Sequence, residues 1–152
     1  MNPEERLKRK VKIVTAVSVA LLVALIVMVC LYVTALDSIR RQYLSAYQAS
    51  VAEVGDLLVS YEEEDFDRDT KYMAATASLN TARQMIFLYR PDEKEEICLT
   101  QLYYAFLKYP GQMRERIGQV REAIEKLEAN AFDDDAYQAL TDIVDGLDKL
   151  GS

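Results

Sequence analysis

Residues 13–36 read IVTAVSVALLVALIVMVCLYVTAL, twenty-four side chains without a charge. At about 1.5 Å per residue a helix of that length covers roughly 36 Å, against a bilayer hydrocarbon core of about 30 Å. Fourteen of these residues are Leu, Ile or Val, each of which favours insertion, and Thr15, Ser18 and Thr34 can back-bond to their own helix. A helix apolar on every face has no place in a soluble core of this size, so the stretch is expected to cross a membrane once. Val33-Thr34-Ala35 resembles a signal-peptidase site, but the apolar run is longer than the roughly 7–15 residues of a signal-peptide core. An uncleaved signal anchor is therefore expected. Cys30 follows Val29 deep in the run, which argues against a lipoprotein.

The flanks orient the span. Arg6, Lys8, Arg9, Lys10 and Lys12 precede it against Glu4 and Glu5, a net charge of +3, whereas only Arg40 and Arg41 follow within twenty residues. The positive-inside rule then places residues 1–12 in the cytoplasm as a short basic tail and residues 37–152 outside the cell membrane. The chain's net charge of −7 leaves −10 on that outer body. The mean hydropathy of −0.09 averages these two unlike parts. Ala16, Ala20 and Ala24 recur on one face of the span, a small-residue spacing that lets a second helix approach closely.

The body reads as helix after helix. Tyr43, Tyr47, Val51, Val54, Leu58 and Tyr61 form one stripe over 39–61, in a helix that either continues the span or starts afresh at Asp37-Ser38. Gly55 weakens its middle. The acidic stretch 62–69 reads as a loop. A second stripe, Tyr72, Ala75, Leu79, Ala82, Ile86 and Tyr89, ends at Arg90 because Pro91 disfavours the α region before it. Pro91 suits the first position of a third helix, with Asp92, Glu93, Glu95 and Glu96 near the positive end of its dipole. Tyr109-Pro110-Gly111 breaks that helix. A fourth, from about Gln112 to Asn130, carries Met113, Ile117, Val120, Ile124 and Leu127. Asp133 to Asp135 open a last one bearing Tyr137, Leu140, Val144 and Leu147, with Gly151 just past its end. The expected fold is all-α: a single N-terminal transmembrane helix followed by an antiparallel helical bundle of four to five helices, the first of them a stalk.

The composition narrows the chemistry. There is no histidine, so Ser-His-Asp and Cys-His sites, His-based zinc sites and the Glu-x-x-His di-iron motif are absent as written. Cys98 is the one thiol of the body, in an apolar helical setting that suggests a buried structural residue. Asp65, Asp67 and Asp69 alternate like the opening of an EF-hand loop. Thr70 then stands where the turn needs Gly and Thr76 where the bidentate Glu belongs, so only weak cation binding is left to them. No other metal and no cofactor is expected, and the acidic body would repel nucleic acid.

The remaining feature is aromatic. Tyr103, Tyr104, Phe106 and Tyr109 crowd the third helix, and with Leu99, Leu102 and Phe106 turned inward, Tyr104 and its neighbours are left on the flank or outside. Either two faces of the core share them, or Tyr103, Tyr104 and Tyr109 form a partner-binding patch. The expectation is a non-catalytic single-pass protein, not an enzyme, whose outer bundle binds another envelope protein or itself. The alternative is an extracytoplasmic module that senses a small molecule or ion and acts through a partner.

Overall fold

The computed structural model describes residues 3–63, 67–91 and 93–147. Among them there are six helices and no strand: α1 (Pro3–Glu63), α2 (Arg68–Tyr89), α3 (Lys94–Lys108), α4 (Pro110–Glu115), α5 (Ile117–Ala129) and α6 (Asp134–Asp145). The chain divides into two units, Met1–Ile39 and Arg40–Ser152.

The first unit holds the start of α1. Its most apolar 18-residue window reaches a mean hydropathy of 3.0 and none of that window is buried, so the helix is long and apolar enough to cross a membrane. Thr15 donates to the Val11 carbonyl at 2.9 Å and Thr34 to the Cys30 carbonyl at 2.8 Å, which leaves neither hydroxyl unpaired. No break occurs at Asp37-Ser38, because α1 is helical throughout Pro3–Glu63.

In the second unit the later part of α1 is a core element rather than a stalk. Tyr47, Val51, Val54 and Leu58 are all at most 2% exposed. They meet the stripes expected on α2, α3, α5 and α6: Leu79 and Ile86, Leu99 and Leu102, Ile124 and Leu127, Leu140. Each such side chain, fully buried, contributes about 1.5–3 kcal/mol. Gly55 does not interrupt α1. A Cβ there would fall 1.9 Å from Oε1 of Glu128, so the glycine makes room for that carboxylate between α1 and α5.

Helix directions follow from contacts between their ends. Tyr61 near the end of α1 lies 6.3 Å, ring to ring, from Tyr72 near the start of α2, so this pair runs antiparallel. Tyr72 in turn stacks on Phe106 near the end of α3 at 5.1 Å, which makes α2 and α3 antiparallel as well. α3 and α6 break the alternation. Lys94 bonds Asp134 at their first residues, and Cys98 lies 3.5 Å from the Tyr137 carbonyl one turn on, so these two neighbours run parallel. The connection that returns the chain to the same end is α4 with α5.

Three boundaries differ from the sequence expectation. Pro91 lies in the turn and α3 starts at Lys94, with Glu93 extended before it. Glu95 lies in the first turn of α3, near the positive end of its dipole as expected, and is also buried, 3% exposed, on the face it shares with Cys98 and Leu99. The fourth helix is two helices, interrupted at Arg116 with φ −110° and ψ 9°. The last helix ends at Gly146, not at Gly151, which lies outside the described residues.

Arg116 accounts for both of the last two differences. From the break it donates to the Ile143 carbonyl at 2.9 Å and the Gly146 carbonyl at 2.7 Å, placing a cation on the C-terminal end of α6. At the other end of α6 the Asp133 carboxylate accepts from the Ala136 amide at 2.8 Å, the cap that the sequence led one to expect.

Candidate functional site

The aromatic residues of α3 do not form one patch. Phe106 is core, held under Tyr72, whose hydroxyl donates to the Phe106 carbonyl at 2.9 Å. Tyr103 is half-buried, its ring 5.4 Å beneath the Arg83 guanidinium and 5.6 Å from the ring of Tyr104. Tyr104 itself is 49% exposed. About 100° of helix separates these two neighbours, enough to send them to different sides of α3.

Two open grooves flank the ridge. Tyr104 and Tyr109 line one of about 370 Å³ between α3 and the end of α6, with Ala105, Val144 and Leu147. Tyr103 lines another, of about 460 Å³, between α2 and α3, with Met73, Ala77, Asn80 and Leu107. Tyr104 and Tyr109 therefore belong together, and Tyr103 belongs with α2.

The second groove joins Leu107 of the apolar stretch on α3 to contributors on α2 that the sequence pattern did not single out. Met73 is 71% exposed and Leu107 is 53% exposed, and farther along α2 Phe87 and Leu88 line a smaller hollow with Gln84 and Glu96. Met73, Ala77, Asn80, Gln84 and Phe87 recur at steps of four, three, four and three. This is a second stripe beside the buried one. Its spacing was the available signal, masked by the polar residues in its middle.

Within the core lies a polar cluster. Tyr137 donates its hydroxyl proton to the Ala131 carbonyl at 3.0 Å, so at the 2.6 Å contact between the Tyr47 and Tyr137 oxygens Tyr47 must be the donor. Burial pushes the Tyr47 phenol up to about 12 and pushes Tyr137 up as well. Cys98 sits beside them with its thiol also pushed up by burial, the opposite of an activated nucleophile. The Oε2 atom of Glu95 is buried and has no hydrogen-bond partner among the described residues, while its Oε1 lies 3.5 Å from Arg90.

Asp65 lies outside the described residues, Asp67 occupies the left-handed backbone region at φ 65° as α2 begins, and Asp69 is paired with Arg114 at 2.7 Å. Among the described residues no three Asp, Glu, Cys or His side chains are grouped to hold a metal. Ala16, Ala20 and Ala24 are exposed on α1.

No protein-family model matches the chain, and comparison with curated proteins and with solved structures gives no match either.

Proposed function

We propose that the chain is a non-catalytic single-pass membrane protein whose extracytoplasmic antiparallel bundle, departing from that pattern at α3 and α6, binds another protein or a second copy in the cell envelope. In this reading residues 13–36 are the anchor, residues 1–12 stay in the cytoplasm and residues 37–152 stand outside. The anchor is supported by the fully exposed apolar helix, and the orientation by the five cations before it against Arg40 and Arg41 after it. A raised rather than lowered thiol, with no histidine in the chain, supports a binding role over catalysis.

The observation that carries the binding role is the exposed apolar surface along α2 and α3, where Met73, Phe87, Leu88, Tyr104 and Leu107 are each about half exposed or more. Apolar side chains gathered along grooves mark interaction surfaces, whereas scattered ones do not. A photo-cross-linking residue at Met73 or Tyr104 of the full chain in its native membrane is expected to give a discrete adduct, and one at exposed Glu122 on α5 none. Equal behaviour at all three positions refutes the binding surface. Orientation is read separately with Asp134→Cys, which a membrane-impermeant maleimide is expected to label without lysis of the cytoplasmic membrane.

A further inference from the structure

The cations of the second unit are largely engaged within it. Arg90 lies 3.5 Å from Glu95, Arg114 pairs with Asp69 at 2.7 Å, and Arg121 pairs with Glu62 at 2.6 Å. The five cations at the start of α1 differ. Arg6, Lys8, Arg9, Lys10 and Lys12 are all exposed, and none makes an ion pair or side-chain hydrogen bond among the described residues. They sit on a helix, because α1 begins at Pro3, with Glu4 and Glu5 in its first turn.

The helix fixes their arrangement. At about 100° per residue the five side chains spread over about 200° of the circumference, and from Arg6 to Lys12 they span about 9 Å along the axis. The remaining arc of about 160° carries Leu7 and Val11, so residues 6–12 are amphipathic in themselves. An interfacial helix would continue that division along its length, whereas here the helix is apolar all round from Ile13 to Leu36. The axial spread of the cations is close to the depth of one headgroup layer, about 5–8 Å when half the difference between total bilayer and hydrocarbon thickness is taken.

We propose that Arg6, Lys8, Arg9, Lys10 and Lys12 form a collar that gathers anionic phospholipid headgroups around the foot of the membrane helix. This inference rests on the membrane-spanning reading proposed above. Positive charge at that level supplies the complement to a phosphate or carboxylate headgroup, and the long stems of Lys and Arg let the charges reach the headgroup layer from either edge of it. The net charge of +3 over residues 1–12 is what an anionic lipid meets, since Glu4 and Glu5 offset part of the collar.

The chain contains no tryptophan, so Leu7→Trp, at a position 65% exposed within the collar, provides a unique fluorescent reporter. The full-length variant is reconstituted into phosphatidylcholine vesicles that contain a minority of either brominated phosphatidylglycerol or brominated phosphatidylcholine. Both leaflets carry the quencher, so orientation does not affect the reading. The anionic quencher is expected to be enriched about fivefold next to the tryptophan at low salt. The preference should fall steeply in high salt, vanish when all five cations are replaced by Gln, and increase in the Glu4→Gln/Glu5→Gln variant. Equal quenching by the two lipids at low salt, or a preference that survives the Gln replacements, overturns the collar. Protein released from the vesicles by alkaline carbonate, with neither lipid quenching, overturns the membrane reading itself and the collar with it.

Discussion

The chain of hydroxyls from Tyr47 through Tyr137 to the Ala131 carbonyl has a direction, and the direction makes two similar substitutions unequal. Tyr137→Phe removes the proton that serves the Ala131 carbonyl and also the oxygen that receives the Tyr47 proton. Tyr47 is 0% exposed, so its hydroxyl is stranded away from water. A stranded buried group costs about 1–3 kcal/mol and a lost hydrogen bond about 1 kcal/mol, which together give about 2–4 kcal/mol. Tyr47→Phe removes only the outer donor and leaves Tyr137 bonded to Ala131, at a cost of about 0.5–1.5 kcal/mol. In the Tyr137→Phe background the ranking inverts. There the Tyr47 hydroxyl is a liability, and deleting it is expected to be neutral or stabilising. Urea unfolding of Arg40–Ser152, followed by far-ultraviolet circular dichroism for the wild type, both single variants and the double variant, measures all four corners of the cycle. Single variants of equal cost whose effects simply add in the double variant would refute the assigned direction.

Arg116→Ala is expected to lower the stability of the same unit by about 1–2 kcal/mol, since two carbonyls at the end of α6 lose a charged donor, and Arg116→Lys should recover only part of it. Urea midpoints check this. Tyr104→Ala, at a position 49% exposed, should change the melting temperature by no more than about 2 °C, whereas Ile124→Ala, at 0% exposed, should lower stability by about 2–5 kcal/mol. Calorimetry of the two variants decides. Stability is also expected to fall at alkaline pH. The unfolded phenol loses its proton near pH 10, while burial pushes Tyr47 up to about 12 and raises Tyr72 and Tyr137 as well. The folded unit then holds more protons than the unfolded chain, so stability is full below about pH 9 and drops as pH rises, by up to about 1.4 kcal/mol per pH unit for each tyrosine. Phenolate absorbance that reaches completion while the helix signal stays intact contradicts this.

The legible parts of the fold were those written in periodicity. The stripe Met113, Ile117, Val120, Ile124 and Leu127 is buried at every position, even though Arg116 splits the helix that carries it. Periodicity survives such a break because the inner face continues across it. Arg116 itself was illegible, since its partners are carbonyls of residues 143 and 146, and an exposed-looking arginine in a helical run has no sequence mark of reaching a distant helix end. Glu95 was legible as a residue of the first turn of α3 but not as a buried one, although Cys98 and Leu99, three and four positions on, share its face. The parallel pairing of α3 and α6 was hidden too, because short loops suggest antiparallel neighbours in sequence and say nothing of neighbours two helices apart. At the candidate surface, Tyr104 was readable from the excess of apolar residues on one helix. Met73 and Phe87 were not, since Asn80 and Gln84 between them make their stripe look solvated.

The contact between Tyr47 and Tyr137 joins residues 90 positions apart. A ribosome adding about 5–20 residues per second needs roughly 5–18 s to pass from one to the other. Throughout that interval the inner stripe of α1 lacks the helix that closes over it, and α3 lacks its parallel neighbour as well. Partial cores of this kind expose apolar surface to whatever else is nascent or folding nearby. The chain is therefore expected to depend on a holding chaperone during synthesis, and shortening it before α6 should yield a degradation-prone product rather than a smaller stable domain.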